Sequence, residues 1–397
     1  MIFSERKQFN EGFNNANYEI LKNRMNAPYG NIPFRVAETP IFIPNYLKEL
    51  LLEASTDILS QLSDPNILIA TKKAIPDEWN LKGQGKHPHF LCLDFGISKN
   101  LDGTLSPHLI ELQGFPTLFG FQPFLAQQYL SSFHISSGFT PYLNNFNEHS
   151  YWELLKEVIV GSHNPKEVIL MDVAIDLQKT AIDFYLTKEK TGIEIVSFED
   201  LKREGDVLYY LKGKERITVK RIYNRLIFDE IKNNPELLKQ FELLKGDLNV
   251  EWVTHPNWFY QISKYTLPFL KSKFVPKTVF LSDLDRLPTD LENYVLKPLF
   301  SFAGKGVIIN VTKADVLEIK DPENWIIQEK VNYDPVIESP DGASKVEIRL
   351  MYVWQENKSP QLCMNLARMS KGEMIGLNHN KDQDWVGGTV ALFQGES

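Results

Sequence analysis

A chain of 397 residues exceeds what one hydrophobic core usually serves, and 43% hydrophobic with 24% charged residues is an ordinary globular composition. A formal net charge of −8 argues against a general nucleic-acid binder, because phosphate-backbone affinity needs clustered Lys and Arg. The two cysteines, Cys92 and Cys363, lie in apolar stretches, the first residues are charged, and no window nears the roughly 18 apolar residues of a membrane span. A cytoplasmic protein with no disulfide framework and no membrane segment is the expectation.

Residues 44–62 (PNYLKELLLEASTDILSQL) place apolar side chains at helical spacing with no internal Pro or Gly, which predicts a helix. Residues 90–97 (FLCLDFGI) and 108–115 (HLIELQGF) read as strands flanking Asn100 to Thr104, where Asp102-Gly103 is a hairpin signal. If Asp102 and Gly103 are the two loop residues, Asp94 faces Glu111, Ser98 faces Pro107, and Glu111 and Gln113 share a face. Two facing carboxylates repel unless something cationic lies between them. A divalent ion held by Asp94, Glu111 and Gln113 satisfies that need; an exposed acidic face is the other reading. Pro107 cannot donate to the ladder and implies an edge or a bulge.

From residue 151 the pattern alternates: helix (YWELLKEVIV), strand 167–171, helix 178–187, strand 192–196, then strands at 207–211 and 217–223. Such alternation predicts a small α/β unit. A third region opens with His255 and Trp258 and becomes β-rich toward the end. Soft boundaries fall near 150 and 250, dividing the chain into 1–150, 151–250 and 251–397.

In the third region Lys297 sits on a strand followed by a loop holding Ser301, Gly304 and Gly306, and then a β-branched strand. Backbone N–H groups of such a loop, beside a lysine point charge, suit phosphate oxygens, although a plain hairpin fits as well. A Walker loop is excluded, because a strand follows where a helix is required. Residues 325–331 (WIIQEKV) form an apolar strand that ends in Gln328, Glu329, Lys330 and Val331. It is either an amphipathic strand end or a crossing whose main chain meets an adenine ring. In residues 346–354 (VEIRLMYVW), Glu347 and Arg349 share one face, and Arg368 lies on the probable partner strand. The two arginines either clamp anionic oxygens or form a structural ion pair with Glu347.

Taken in order, Lys297 with its glycine loop, the 328–330 segment, Glu347-x-Arg349, Arg368, and Asn378 followed by Gly387-Gly388 resemble the ATP-grasp superfamily of ADP-forming carboxylate ligases. The metal-binding strand pair that ends those enzymes has its counterpart near the front here, in Asp94-Phe95 and Glu111-Leu112-Gln113. That order is similar to circularly permuted, glutathionylspermidine synthase-like chains. The resemblance implies an α/β (α+β) ATP-grasp fold with a displaced metal-binding hairpin and a small α/β domain preceding it.

It implies a carboxylate–amine ligase acting through an acyl phosphate, with small-molecule or peptide carboxylate and amine substrates and with ATP and Mg²⁺ (or Mn²⁺) as cofactors. Lys264, Lys297, Ser301, Gly304 and Gly306 would meet the phosphates, and residues 328–331 the adenine. Asp334 or Glu329 would meet the ribose. Arg349, Arg368, Asn378 and Gly388 would surround the transferring group, and Asp94, Glu111 and Gln113 would hold the metal. Arg221, Arg225, His255 and Trp258 are candidates for substrate recognition. An ATP-binding protein without ligase activity and a kinase-like phosphotransferase are the alternatives.

Overall fold

The computed structural model describes residues 1–301, 304–373, 375, 380 and 382–395. Its centre is a five-stranded antiparallel sheet ordered Gly387–Thr389, Gln361–Ser370, Lys345–Val353, Phe90–Lys99 and Leu105–Gln113. Segments far apart in sequence thus join in one sheet, and the predicted hairpin forms its outer edge. Pro107 is tolerated there because an edge strand need not donate on its open side.

Period-two alternation gives this sheet two different faces. Leu91, Leu93, Phe95, Ile97, Val346, Ile348 and Leu350 pack beneath the helix Asn45–Leu62, the one predicted at 44–62, whose Leu47, Leu51, Ala54 and Ile58 fill the same core. The opposite face is apolar at one end, with Phe90, Cys92, Met351 and Val353 in a second core. At its other end it carries Asp94, Glu347, Arg349 and Arg368, so the alternation that builds the core also delivers four charged side chains to one place.

Two smaller sheets flank that charged end. One is antiparallel, ordered Thr278–Phe280, Trp325–Glu329, Tyr294–Pro298 and Ile308–Ile309, with Leu296 and Ile327 in a small core on its far side. The other is the predicted α/β unit, a parallel sheet ordered Glu251–Val253, Arg221–Asn224, Val168–Asp172 and Glu194–Ser197. The single strand expected at 217–223 is two, because Glu215–Thr218 belongs to a separate three-stranded sheet before the chain enters the parallel one. Among the described residues no helix is long and apolar enough to cross a membrane.

Candidate functional site

The hairpin has the facing pair expected of it, by a different route. Asp94 pairs with Glu111, but Pro107 pairs with Ile97 rather than Ser98. The loop is five residues, Asn100 to Thr104, closed by Asn100 N to Thr104 O at 2.7 Å and Gly103 N to Asn100 O at 2.9 Å. Gly103 takes a left-handed φ of 87°, and the Asp102 carboxylate accepts from the Thr104 amide and hydroxyl. This sets the register one residue off the expected one. A bulge at Ile110 then restores it before Glu111. Because of the bulge Leu109 and Leu112, three apart, both reach the core face.

Asp94 is almost fully buried and meets the Arg349 guanidinium in a two-pronged contact, Nε at 2.6 Å and Nη2 at 2.7 Å. Arg368 Nη2 donates to the same carboxylate at 2.8 Å and to Glu347 at 3.1 Å. Burial alone would raise the Asp94 carboxyl, but the charge and hydrogen bonds of Arg349, then of Arg368, outweigh it and hold the group below the usual carboxylate range. Glu347 shifts the other way: burial raises it despite Arg368.

Positive charge thus reaches the two facing carboxylates separately, Asp94 from the guanidinium groups of Arg349 and Arg368 and Glu111 from Lys264. Among the described residues no three His, Cys, Asp or Glu side chains cluster as metal ligands. Glu111, which also meets Lys264 at 3.1 Å, and Gln113 make a donor set that fits an ion taking most of its ligands from phosphate oxygens and water. Arg349 has its Nε and Nη2 on Asp94. Arg368 keeps a third of its side chain exposed, and its Nε is buried with no hydrogen-bond partner among the described residues.

The Lys297 strand and Lys264 come to this face. Lys297 extends from Tyr294–Pro298 and donates to the carbonyl of Ile110 at 3.0 Å and to Gln328 Oε1 at 2.6 Å. Burial pushes its ammonium down to about 8; Glu111 works against the shift and Lys264 with it. Lys264 lies 3.1 Å from Glu111 and donates to the Ser301 carbonyl at 2.7 Å, so one buried lysine ties the start of the glycine loop to the hairpin. Gly304 and Gly306 adopt left-handed φ values of 72° and 77°, and a Cβ on Gly306 would sit 2.9 Å from Pro298.

Several expected contacts take other forms. The amides of Glu329 and Lys330 are bonded to the Lys277 and Asn293 carbonyls, and the Gln328 amide group to Thr278, so only Val331 keeps an N–H without a partner among the described residues. Lys330 turns its ammonium to Asn310. Asp334 accepts from the Lys99 amide at 2.6 Å, which pins the chain after the hinge to the hairpin. Gly388 lies beside Arg368 in the sheet, but its N–H is bonded to Arg35 O. Asn378 lies outside the described residues.

Tyr333 was not anticipated. Its ring lies on Gly96, where a Cβ would come within 2.7 Å, and its hydroxyl donates to Glu347 at 2.7 Å. A glycine inside an apolar strand signals close approach of another group, and that signal stood in the sequence unused.

The parallel sheet supplies the remaining wall. Its strand order reverses between Val168–Asp172 and Arg221–Asn224, and a crevice at such a reversal is where open α/β sheets bind ligands. Asp172 and Arg225 stand at those strand ends. Arg225 is paired with Asp183 at 2.5 Å, lies near the Phe115 ring, and has a buried Nε with no hydrogen-bond partner among the described residues. Burial pushes the Asp172 carboxyl up to about 8. Arg221 bonds the Val158 and Ile159 carbonyls and Glu251, and His255 bonds Lys82 O.

The fold is therefore a mixed α/β arrangement of several sheets around a buried cluster of lysines, arginines and carboxylates. No family model matches the chain, and no curated protein matches it by sequence. Among solved structures it is similar to a glutathione synthetase-like effector from Globodera pallida in its apo form, at 12% identity. The TM-score is 0.57, over 91% of this chain and 90% of that one. At that identity the likeness concerns the fold.

Proposed function

We propose that this protein is an ATP-grasp-type, ADP-forming ligase that joins a carboxylate to an amine. The observation that carries this reading is the contact of Lys297 and Lys264 with the edge hairpin, at Ile110 and Glu111. It brings the two lysines and the acidic strand together from segments more than about 150 residues apart. The likeness to a glutathione synthetase-like fold supports it.

On this reading the triphosphate lies between the antiparallel sheet and the charged face, with Lys297, Lys264 and the glycine loop toward its phosphates and the Val331 amide toward the base. A carboxylate oxygen of the substrate attacks the γ-phosphorus, ADP leaves, and an acyl phosphate forms. The amine nitrogen then attacks the acyl carbon, phosphate leaves, and the amine loses a proton. Positioning and charge neutralisation do most of this work. Arg368, one-third exposed with an Nε that has no hydrogen-bond partner among the described residues, would steady the anionic group, and Asp94 with Arg349 holds Arg368 in position. Mg²⁺, which Glu111 and Gln113 would hold, supplies charge neutralisation at the phosphates when bound.

A second reading, an ATP-binding protein without ligase activity, is favoured by the full engagement of Arg349, which leaves one arginine for the acyl phosphate. Supplying ATP and Mg²⁺ with pooled amines and carboxylic acids tests both. Acceptor-dependent release of ADP and phosphate supports the ligase. Tight ATP binding without it supports the second reading, and ADP release with a phosphorylated product would indicate a kinase-like phosphotransferase.

A further inference from the structure

A cleft of about 520 Å³ lies between the helix Pro65–Thr71, the loop around Gly85 and the short helix Asn257–Gln261. Its size is that of a small-molecule site. Leu68 and Trp258 give it an apolar floor. Gln84 and Gln261 form a wall that is already satisfied: Gln84 Nε2 donates to Gln261 Oε1 at 2.7 Å, and Gln261 Nε2 to the Leu68 carbonyl at 2.8 Å. That wall is held in shape without a ligand. On the rim stand Lys72 and Lys86, both exposed, neither with an ion pair or hydrogen bond among the described residues, and no Asp or Glu lines the cleft. In a chain of net charge −8 two unpaired lysines on one rim concentrate positive charge there, with one acid near by, Glu356, whose Oε1 lies 3.9 Å from where a Cβ on Gly85 would stand. A narrower recess of about 150 Å³ shares Leu68 and Lys86 and runs on to Ile262 and Trp354, so the apolar floor is longer than one ring.

We propose that this cleft is a binding site for an organic anion with an apolar body, its acidic group between Lys72 and Lys86 and its body along Leu68 and Trp258. None of the lining residues belongs to the Lys297 cluster, so the site is separate from the proposed nucleotide site. It is mechanically connected to it, however. Ile262 O, at the end of the floor segment, accepts from Gly114 N at 2.8 Å, and a Cβ on Gly114 would meet the Trp258 carbonyl at 2.9 Å. The floor therefore presses on the residue that follows Gln113.

The test uses the whole protein without nucleotide. The probes are 8-anilinonaphthalene-1-sulfonate and its uncharged counterpart N-phenyl-1-naphthylamine, titrated against wild type and the K72E/K86E double variant. Both lysines are exposed, so the variant should melt with wild type. Wild type should bind the anion saturably, the neutral probe at least about tenfold more weakly, and the variant should lose about tenfold or more in affinity for the anion alone. No saturable binding, equal affinity for both probes, or an unchanged titration in the variant would each overturn the proposal.

Discussion

Lys297 Nζ donates to the carbonyl of Ile110, the residue that the hairpin's register shift leaves over. The bulge thus does two things at once: it returns Glu111 to the face of Asp94 and turns a main-chain acceptor toward a buried ammonium. The bulge carbonyl and Gln328 Oε1 together supply the acceptors that a buried ammonium needs.

Lys297 should give the protein a distinctive alkaline response. Its ammonium is depressed to about 8 in the folded chain against an ordinary 10.5, so between those values the unfolded state binds more protons and stability rises with pH. Below pH 8 both states are protonated and the contribution is flat. Urea melts of wild type and Lys297→Met across pH 7.5–10 should diverge in slope, with the rise confined to wild type; parallel profiles would refute the assignment.

Asp94 and Glu111 face one another but should respond unequally to neutralisation. Asp94→Asn strands the buried Arg349 and should cost about 3 kcal/mol or more in denaturant melts. Glu111→Gln, at a quarter-exposed side chain, should cost under about 1 kcal/mol. If the proposed function holds, Glu111→Gln also lowers Mg²⁺-dependent turnover by about 100-fold or more. A reversed order of stabilities would undo the division of roles.

Gly96 and Tyr333 form a pair testable by a double-mutant cycle. Gly96→Ala alone should destabilise by about 1–3 kcal/mol, since the methyl group meets the tyrosine ring at 2.7 Å. In a Tyr333→Ala background that cost should largely vanish, a coupling of about 1 kcal/mol or more. Strict additivity would mean that the strap does not rest on the strand.

Asp172 should make the protein less stable toward neutral pH. Its folded-state value, raised to about 8, lies above the ordinary 3.8, so its stabilising contribution is complete below about 4 and is lost as pH rises to 8. Asp172→Asn should match wild type near pH 4 and exceed it in melting temperature at pH 8. An equal offset at both values would point to a packing effect instead.

Much of this site could be read from residue order, and the limits were physical. The alternation in residues 90–97 and 346–354 was enough to place Asp94, Glu347 and Arg349 on one face, because strand periodicity acts locally. The Asp94–Glu111 pairing came out right although the loop was five residues and not two, since the Ile110 bulge cancelled the error. What repulsion between the two acids required was positive charge, and charge counting could not distinguish a metal from the arginine on the neighbouring strand that meets Asp94 or the lysine that meets Glu111. The sequence offered Glu347 as an ion-pair partner for Arg349, whereas the partner is Asp94, on a strand that no local pattern connects to it. The engagement of the Glu329 and Lys330 amides likewise depends on Lys277 and Asn293, which only the folded sheet brings near.

One consequence concerns the order in which the chain is made. Asp94 and Arg349 are separated by 255 positions. At about 5–20 residues per second, the Asp94 strand leaves the ribosome on the order of tens of seconds before the strand that neutralises it. During that interval the hairpin offers an open backbone edge, and its acid is still solvated. The half-made protein, rather than the finished one, is where this architecture is most exposed to mispairing.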